Sequence, residues 1–402
     1  MLHIFTSAAV NYIPKVRLLT ESIKKFHPEA RIHLALADEK PENISFDMFD
    51  SVWSPADLGI DNWRSWVFGH AIVELATAIK PFVLEKLLKN DGDRVLYLDP
   101  DTVLYSRLDD VLHALDQASV ALTPHQTSPE TEWMAVLDNE VSSLKHGIYN
   151  LGFVGVAATE GGRAFAAWWR ERCYKLCIDD VPNGIFTDQR WVDLAPALFP
   201  NVAILRTPRL NVSTWNLSKR RITRHEGELF VNDEPLGFYH YTGFDRGAHR
   251  IAAQRYAVDS PVVFEMIDWY EKAIQVTASD PLSQHQWAFA NFDNGVQISK
   301  LQRRVYRMRK DLQQAFPHPF ASNSYLAWWN ATGAAEYEVE NHINIEQKIS
   351  AVLASGSKRN IWDALVQGVR TPALLRAYIS QARHLIAEKG LVGFLRKIRE
   401  RM

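Results

Sequence analysis

Along the first 125 residues, short apolar runs alternate with stretches whose apolar positions recur every three or four residues. HIFTS (3–7) reads as a strand, and residues 12–26 carry Ile13, Val16, Leu19, Ile23 and Phe26 at the spacing of one helix face. RIHLALAD (31–38) predicts a second strand, and 66–89 a long helix kinked at Pro81. RVLYLD (94–99) predicts a central strand, LDDVLHALDQ (108–117) a helix and SVALTP (119–124) another strand. This βαβα rhythm predicts an α/β fold, a mostly parallel sheet flanked by helices. In such sheets ligands bind beyond the carboxyl ends of the strands.

After residue 150 the pattern is mixed. NLGFVGVAA (150–158) predicts a strand, 161–176 a helix, 186–199 a short helical stretch and 202–212 a further strand. Residues 220–241 predict a hairpin turning at NDEP. From about 253 the periodicity is helical again, with no internal repeat and no low-complexity linker. A catalytic domain over 1–250 and a helical C-terminal region over 251–402 are expected.

Composition narrows the class without naming a chemistry. The chain has 402 residues, 47% hydrophobic and 23% charged, as in ordinary globular proteins. A net charge of -2 excludes a general nucleic-acid binder, which carries a basic excess. The longest apolar stretch, 70–88, is interrupted by Glu74, Lys80 and Glu85 and cannot span a membrane. MLHIFTSAAV lacks the charged start of a signal peptide, so a cytoplasmic protein is expected. Cys173 and Cys177, four apart on a predicted helix, read as reduced packing residues. The Asn-x-Ser/Thr matches at Asn211, Asn216 and Asn330 then read as chance. Residues 373–402 place Arg376, Arg383, Lys389, Arg396, Lys397, Arg399 and Arg401 among apolar residues, which suits a helix lying on an anionic membrane surface.

The chemistry concentrates in VLYLDPDTVL (95–104). Asp99 and Asp101 follow a buried strand, and Pro100 between them ends its ladder. Two carboxylates this close repel, so the pair calls for a divalent cation, Mn²⁺ or Mg²⁺, which could also hold a diphosphate. A turn or helix-cap role does not explain two acids after so apolar a strand. The pair fits the DxD of nucleotide-sugar glycosyltransferases. It also fits the nucleophile motif of haloacid-dehalogenase-type phosphatases, in which Asp99 would attack phosphorus. That alternative needs its motif on the first strand and downstream partners such as Asp179-Asp180 and Lys175. A glycosyltransferase needs preceding strands and a distant third ligand, which His240 in FYHYTGFDRGAH (238–249) can supply.

At these residues the chain resembles bacterial GT-A glycosyltransferases of family 8, the group of lipooligosaccharide galactosyltransferases and glycogenin, or a sister family. The resemblance covers about residues 1–250 and implies a Rossmann-like nucleotide-diphospho-sugar transferase fold with a helical C-terminal extension. HYTGFDRGAH resembles the family's H-Y-x-G-x-x-K-P-W-H segment, departing from it at Gly247-Ala248. It implies Asp99, Asp101 and His240 as metal ligands, with Gly243 and Arg246 at the diphosphate. YNLGFVGV resembles its F-N-S/A-G-V strand, implying that Asn150 and Gly152 line the donor-sugar pocket. TDQRW resembles its D-Q pair, implying Asp188 and Gln189 beside the anomeric carbon as the catalytic residues. The N-terminal segment would place Thr6, Ser7, Ala8 and Tyr12 at the base and ribose, and Lys80 at a donor phosphate. Of the 13 tryptophans, Trp215, with Asn216, is the expected substrate-facing residue.

The function implied is transfer of a sugar from a nucleotide donor, UDP-linked through the resemblance, to a glycan or lipid-linked oligosaccharide acceptor. The family retains anomeric configuration and serves bacterial surface polysaccharide and lipopolysaccharide assembly. Apart from the phosphatase, a non-catalytic nucleotide-sugar-binding subunit is the remaining alternative. Nucleic acid is not an expected partner, and the protein would sit in the cytoplasm or peripherally on the inner membrane face.

Overall fold

The computed structural model describes residues 1–244 and 247–337. The chain divides into two compact units, 1–331 and 332–402, and the described part of the second ends in the helical turn Ala334–Tyr337. Arg246 and the basic stretch 373–402 lie outside the described residues.

The apolar runs of the first half form strands β1 (Leu2–Ala8), β2 (Arg31–Leu36), β3 (Ser51–Trp53) and β4 (Arg94–Leu98). They are followed by β5 (Thr102–Leu104), β6 (Val120–Pro124), β7 (Tyr149–Ala157), β8 (Val202–Ile204) and β9 (Phe238–His240). Seven of these make one sheet in the order β8-β6-β7-β4-β1-β2-β3. β7 runs antiparallel to both neighbours, and the other pairs are parallel. The strand order reverses between β1 and β4, where α/β sheets open a crevice for ligands. β5 and β9 leave this sheet and pair antiparallel with each other.

Both faces of the sheet are covered, so its strands are apolar on both sides. On one face Ile4, Leu34, Leu96 and Phe153 meet Val16, Leu19 and Ile23 of α1 (Ile13–Phe26). On the other, Phe5, Val95, Tyr97 and Val154 meet apolar helices of the middle of the chain. The single helix expected over 66–89 is three: α2 (Trp63–Phe68), α3 (Ile72–Ala78) and α4 (Lys80–Leu87). The first break falls at Gly69-His70, and the Glu74 carboxylate then accepts the Ala71 amide at 3.1 Å to start α3. The second interruption is the single residue Ile79, whose backbone stays in the right-handed helical region. Pro81, in the first turn of α4, lacks the amide hydrogen that would continue α3, so the expected kink falls two residues before it. Further on, α5 (Asp109–Gln117) and α6 (Glu160–Leu176) follow the predicted periodicity, and Trp169 of α6 is completely buried.

Two expectations for the second half are corrected. The strand expected over 202–212 stops at Ile204, and Pro208, without an amide hydrogen, lies in the loop that follows. The hairpin of 220–241 is a three-stranded ribbon, Ile222–His225, Glu228–Val231 and Glu234–Pro235. Its turns are Glu226-Gly227 and Asn232-Asp233, both residues of each having positive φ, as tight hairpins require. The chain then leaves the ribbon, and Phe238–His240 pairs with β5.

Within the first unit, residues 261–307 pack back onto the rest of the fold. Val263, Met266, Ile267 and Tyr270 of the helix Pro261–Ala278 join Tyr239 and Tyr241 in a third apolar cluster. The Trp287 indole donates to the Ala37 carbonyl at 2.8 Å, and the Arg307 guanidinium meets Glu74 at 2.7 Å. Among the described residues no helix is long and apolar enough to cross a membrane.

Candidate active site

β4 delivers Tyr97 and Asp99 to one face, two residues apart. The Asp99 amide still donates to Gly152 of β7 at 2.9 Å, and the Thr102 amide then closes a turn onto the Asp99 carbonyl at 3.0 Å. Pro100 sits inside that turn, which throws both carboxylates out beyond the sheet. The third group arrives through the β5–β9 ladder, which sets His240 opposite Thr102. The His240 Nε2 lies 3.0 Å from Asp101 Oδ1 and 3.6 Å from Asp99 Oδ2. Ligand atoms of Asp99, Asp101 and His240 all fall within 4.8 Å of one another, a spacing at which one cation can touch all three. Burial alone would lower the His240 pKa, but the Asp101 and Asp99 carboxylates outweigh it and raise it. The same pairing, against burial, lowers that of Asp101.

Gly152 makes room for this arrangement. A Cβ on it would lie 2.4 Å from His240 Cε1 and 2.7 Å from Asn150 Oδ1, closer than any side chain tolerates. The glycine is therefore dictated by the approach of the imidazole to β7. Two carboxylates and an imidazole nitrogen are hard or borderline donors, a set that fits Mn²⁺ or Mg²⁺.

Behind the cluster, Lys80 at the start of α4 is 3% exposed. Its ammonium lies 3.4 Å from Asp99 Oδ1 and 3.2 Å from Asp188 Oδ2, and donates to the Leu151 carbonyl at 3.2 Å. It also stands 4.2 Å from the Tyr97 ring centroid. Burial would lower the Lys80 pKa, and the two carboxylates override this and raise it. The Tyr97 hydroxyl donates to Asp99 Oδ1 at 2.5 Å. Lys80 thus ties the first carboxylate of the pair to Asp188.

Asp188 is 1% exposed and also accepts from the Thr187 hydroxyl at 3.1 Å. Gln189 opens the short helix α7 (Gln189–Val192), and its amide is spent on the backbone. It accepts from the Leu151 amide at 2.8 Å and donates to the His146 carbonyl at 2.9 Å. Asn150 is likewise fully engaged, donating toward His125 Nε2 at 3.0 Å and accepting from the Gly152 amide at 3.0 Å.

The remaining expected residues are spread around this centre. The Trp215 ring stands edge-on to His240 (centroids 5.3 Å apart) and to His125 (5.2 Å). Asn216 is buried, accepts from the Ser213 amide at 3.0 Å and donates to the Asn211 carbonyl at 3.1 Å. Gly243 is exposed with φ +69°, a conformation glycine adopts freely. At the end of β1, Thr6, Ser7 and Ala8 are buried, and the Ser7 hydroxyl donates to the Ala76 carbonyl at 2.6 Å. Tyr12 is half-buried, with the Lys15 ammonium 4.3 Å from its ring. The structure also brings in Tyr97, His125 and Asn211, which sequence reading did not assign to the site. Only Tyr97 carried a signal, its two-residue spacing from Asp99.

No family model matches the chain. It is 30% identical over 177 residues to the uncharacterized protein YfnF of Bacillus subtilis (strain 168), covering 42% of this chain and 57% of that protein. The match therefore spans little more than half the length of that relative. It is 24% identical over 255 residues to the uncharacterized protein YfnD of the same organism, covering 60% of this chain and 78% of YfnD. Among solved structures it is similar to galactosyltransferase LgtC in complex with donor and acceptor sugar analogs, with TM-score 0.38 and 15% identity over 60% of this chain and 87% of that one. It is also similar to the apo form of mouse xyloside xylosyltransferase 1, with TM-score 0.36 and 12% identity over 60% of this chain and 98% of that one.

Proposed function

We propose that the protein is a divalent-cation-dependent glycosyltransferase of GT-A architecture. It moves a sugar from a UDP-linked donor to a hydroxyl of a glycan or lipid-linked acceptor, with retention, in bacterial surface polysaccharide assembly. The observation that carries this reading is the Asp99–Asp101–His240 cluster, placed beyond the carboxyl end of β4 beside the reversal of strand order. A cation bound there supplies positive charge to the departing diphosphate, the place where charge develops in glycosyl transfer. Gly243 and Arg246 are assigned to the same diphosphate, and Thr6, Ser7, Ala8 and Tyr12 to the nucleoside.

The chain's own residues hold this geometry. Lys80 fixes Asp99 and Asp188 relative to each other. Asp188 is assigned to orient the reacting sugar and to stabilise positive charge at its anomeric carbon. Gln189 fixes the Leu151 backbone beside it, and Asn150 and Gly152 shape the pocket wall. Trp215 offers an aromatic face to a sugar ring, held in place by the Asn216 loop. The acceptor hydroxyl bonds to the anomeric carbon as the bond to the diphosphate oxygen breaks, and the hydroxyl proton leaves with that diphosphate.

The phosphatase reading is disfavoured by particular contacts. The motif lies on the fourth strand, and the Asp99 oxygen is occupied by Tyr97. Asp180 is held by Asn183 and Arg304, and Lys175 by Glu171. Nucleoside diphosphate release from a panel of nucleotide sugars with Mn²⁺ tests the proposal. Release from one donor, abolished in Asp101→Asn, is expected. Release from none of them, together with hydrolysis of an aryl phosphate, would put the phosphatase reading in its place.

A further inference from the structure

His240 must turn a lone pair, not an N–H, toward the two aspartates if a cation is to sit between them. A chain of buried polar groups decides which nitrogen that is. Its direction is set at two backbone ends that have no choice of role. The Gly152 amide can only donate, and it donates to Asn150 at 3.0 Å, so the atom it meets is the carbonyl oxygen of that side chain. The other end of the Asn150 side chain is then its NH₂, which donates to His125 Nε2 at 3.0 Å. At the far side the Ile148 carbonyl can only accept, and His125 Nδ1 meets it at 3.3 Å, so this nitrogen carries the proton. Burial pushes the His125 pKa down to about 4, which keeps the ring neutral and Nε2 an acceptor at neutral pH.

The same logic fixes Asn211. One end of its side chain lies 3.0 Å from Asn150 Oδ1 and 3.4 Å from the Asn150 carbonyl, two acceptors, and 2.9 Å from the Thr123 hydroxyl. That end is the NH₂. Its oxygen therefore faces His240 Nδ1, at 3.3 Å, and requires an N–H there. The Asn211 backbone is held as firmly. It is 1% exposed, has φ +52°, and its carbonyl accepts from Asn216. His240 therefore keeps its Nδ1 proton, and Nε2, 3.0 Å from Asp101, is the nitrogen that gives up its proton when a cation enters between Asp99 and Asp101.

We infer that Asn211 is a positioning residue for the cation site, fixing His240 in the Nδ1–H form through a hydrogen-bond chain anchored by Asn150 and His125. This rests on the reading of Asp99, Asp101 and His240 as a divalent-cation site. A residue that touches the second nitrogen of a metal-binding histidine sets both ring orientation and basicity, and its loss weakens metal binding roughly 10- to 100-fold.

The test is Mn²⁺ binding to the whole protein, followed by the loss of the free-ion paramagnetic resonance signal. It is made on wild type, Asn211→Leu and Asn211→Asp, with each metal-free unfolding temperature. Leu removes the acceptor that faces His240; Asp keeps it and disturbs the bonds to Thr123 and Asn150. The expected result is Mn²⁺ affinity at least roughly 10-fold weaker in Asn211→Leu. Asn211→Asp should bind within about threefold of wild type even though its unfolding temperature also falls. Asn211→Asp binding as weakly as Asn211→Leu, or Asn211→Leu binding as tightly as wild type, would overturn the positioning role and leave the cation site standing. A wild-type protein that takes up no Mn²⁺ would overturn the cation site and the positioning role together. Should Asn211→Leu not fold, ring-¹⁵N histidine spectra of the wild type in alkaline buffer decide, with His240 identified by its absence in His240→Gln. The Nδ1–H form is expected, and the Nε2–H form would overturn the inference.

Discussion

Replacing Lys80 by Met is the sharpest probe of how this site is held together. The side chain fills similar space but removes an ammonium that lies 3.4 Å from Asp99 and 3.2 Å from Asp188. Asp99 retains a path to solvent, its side chain being 25% exposed, whereas the Asp188 side chain is 2% exposed and cannot remain charged alone. Asp188 therefore takes up a proton on folding. At pH 7 that costs about 1.4 kcal/mol for each pH unit above an unfolded carboxyl pKa of ~3.9, a ceiling of about 4 kcal/mol. Loss of one partner of a buried pair costs roughly 3–5 kcal/mol, in line with that ceiling. The sign follows from proton uptake: the folded variant binds more protons than the unfolded chain, so its stability falls as pH rises. Urea unfolding of wild type, Lys80→Met, Asp188→Asn and the double variant would measure this. The expected pattern is a penalty of about 3–4 kcal/mol at pH 7 that shrinks by about 1.4 kcal/mol per unit toward pH 5 and is largely recovered in the double variant. A penalty that does not change with pH, or that persists in full in the double variant, would refute the ion-pair reasoning.

Gly152→Ala should weaken Mn²⁺ binding by roughly tenfold or more, because its Cβ would sit 2.4 Å from His240 Cε1 and 2.6 Å from Nδ1 and drive the imidazole off the aspartates. Equal Mn²⁺ affinity in the two proteins, read by titration calorimetry, would show that His240 is not where the cation binds. Acid should destabilise the fold through His33, His125 and His249, each pushed by burial down to about 4. The unfolded histidines gain protons near pH 6.5 and the folded ones do not, so stability is full above that pH and is lost as pH falls toward 4, by about 2 kcal/mol each between pH 7 and 5. Urea midpoints that stay level from pH 7 to 5 would contradict the burial of these rings as neutral groups.

Most of the sheet was legible in the sequence because β1, β2, β4, β6 and β7 are nearly continuous apolar runs, a pattern set by local residues, whereas β3, three half-buried residues long, left no such run. Errors arose where a boundary depends on contacts far along the chain. Gly69 breaks the helix expected over 66–89 partly because Arg307 packs against it, and a Cβ there would lie 3.1 Å from that side chain's own Cβ. Glu226-Gly227 gave no stronger turn signal than NDEP, and one hairpin was expected where the ribbon has two turns. Asp99 and Asp101 stood out because two acids after an apolar strand violate the expected burial pattern. His240 could be suspected from the glycine-containing segment around it, but its pairing opposite Thr102 is long-range and left no local trace. Asn211 was least legible of all. In the sequence it is one of three Asn-x-Ser/Thr matches, and its role exists only because β9, β7 and the 205–212 loop converge on one buried point. Lys80 illustrates the same limit: its place in the chain suggested a phosphate contact, whereas its ammonium is enclosed by two carboxylates and a carbonyl.

On the proposed function, Asp99, Asp101 and His240 hold a divalent cation together with a nucleoside diphosphate. Titration calorimetry of UDP, GDP and CDP into the protein, with Mn²⁺ and with chelator, tests it directly on wild type and Asp101→Asn. Binding of one nucleotide that requires Mn²⁺ and is lost in Asp101→Asn is expected. Nucleotide binding that is equally tight in chelator, or unchanged in Asp101→Asn, would contradict it.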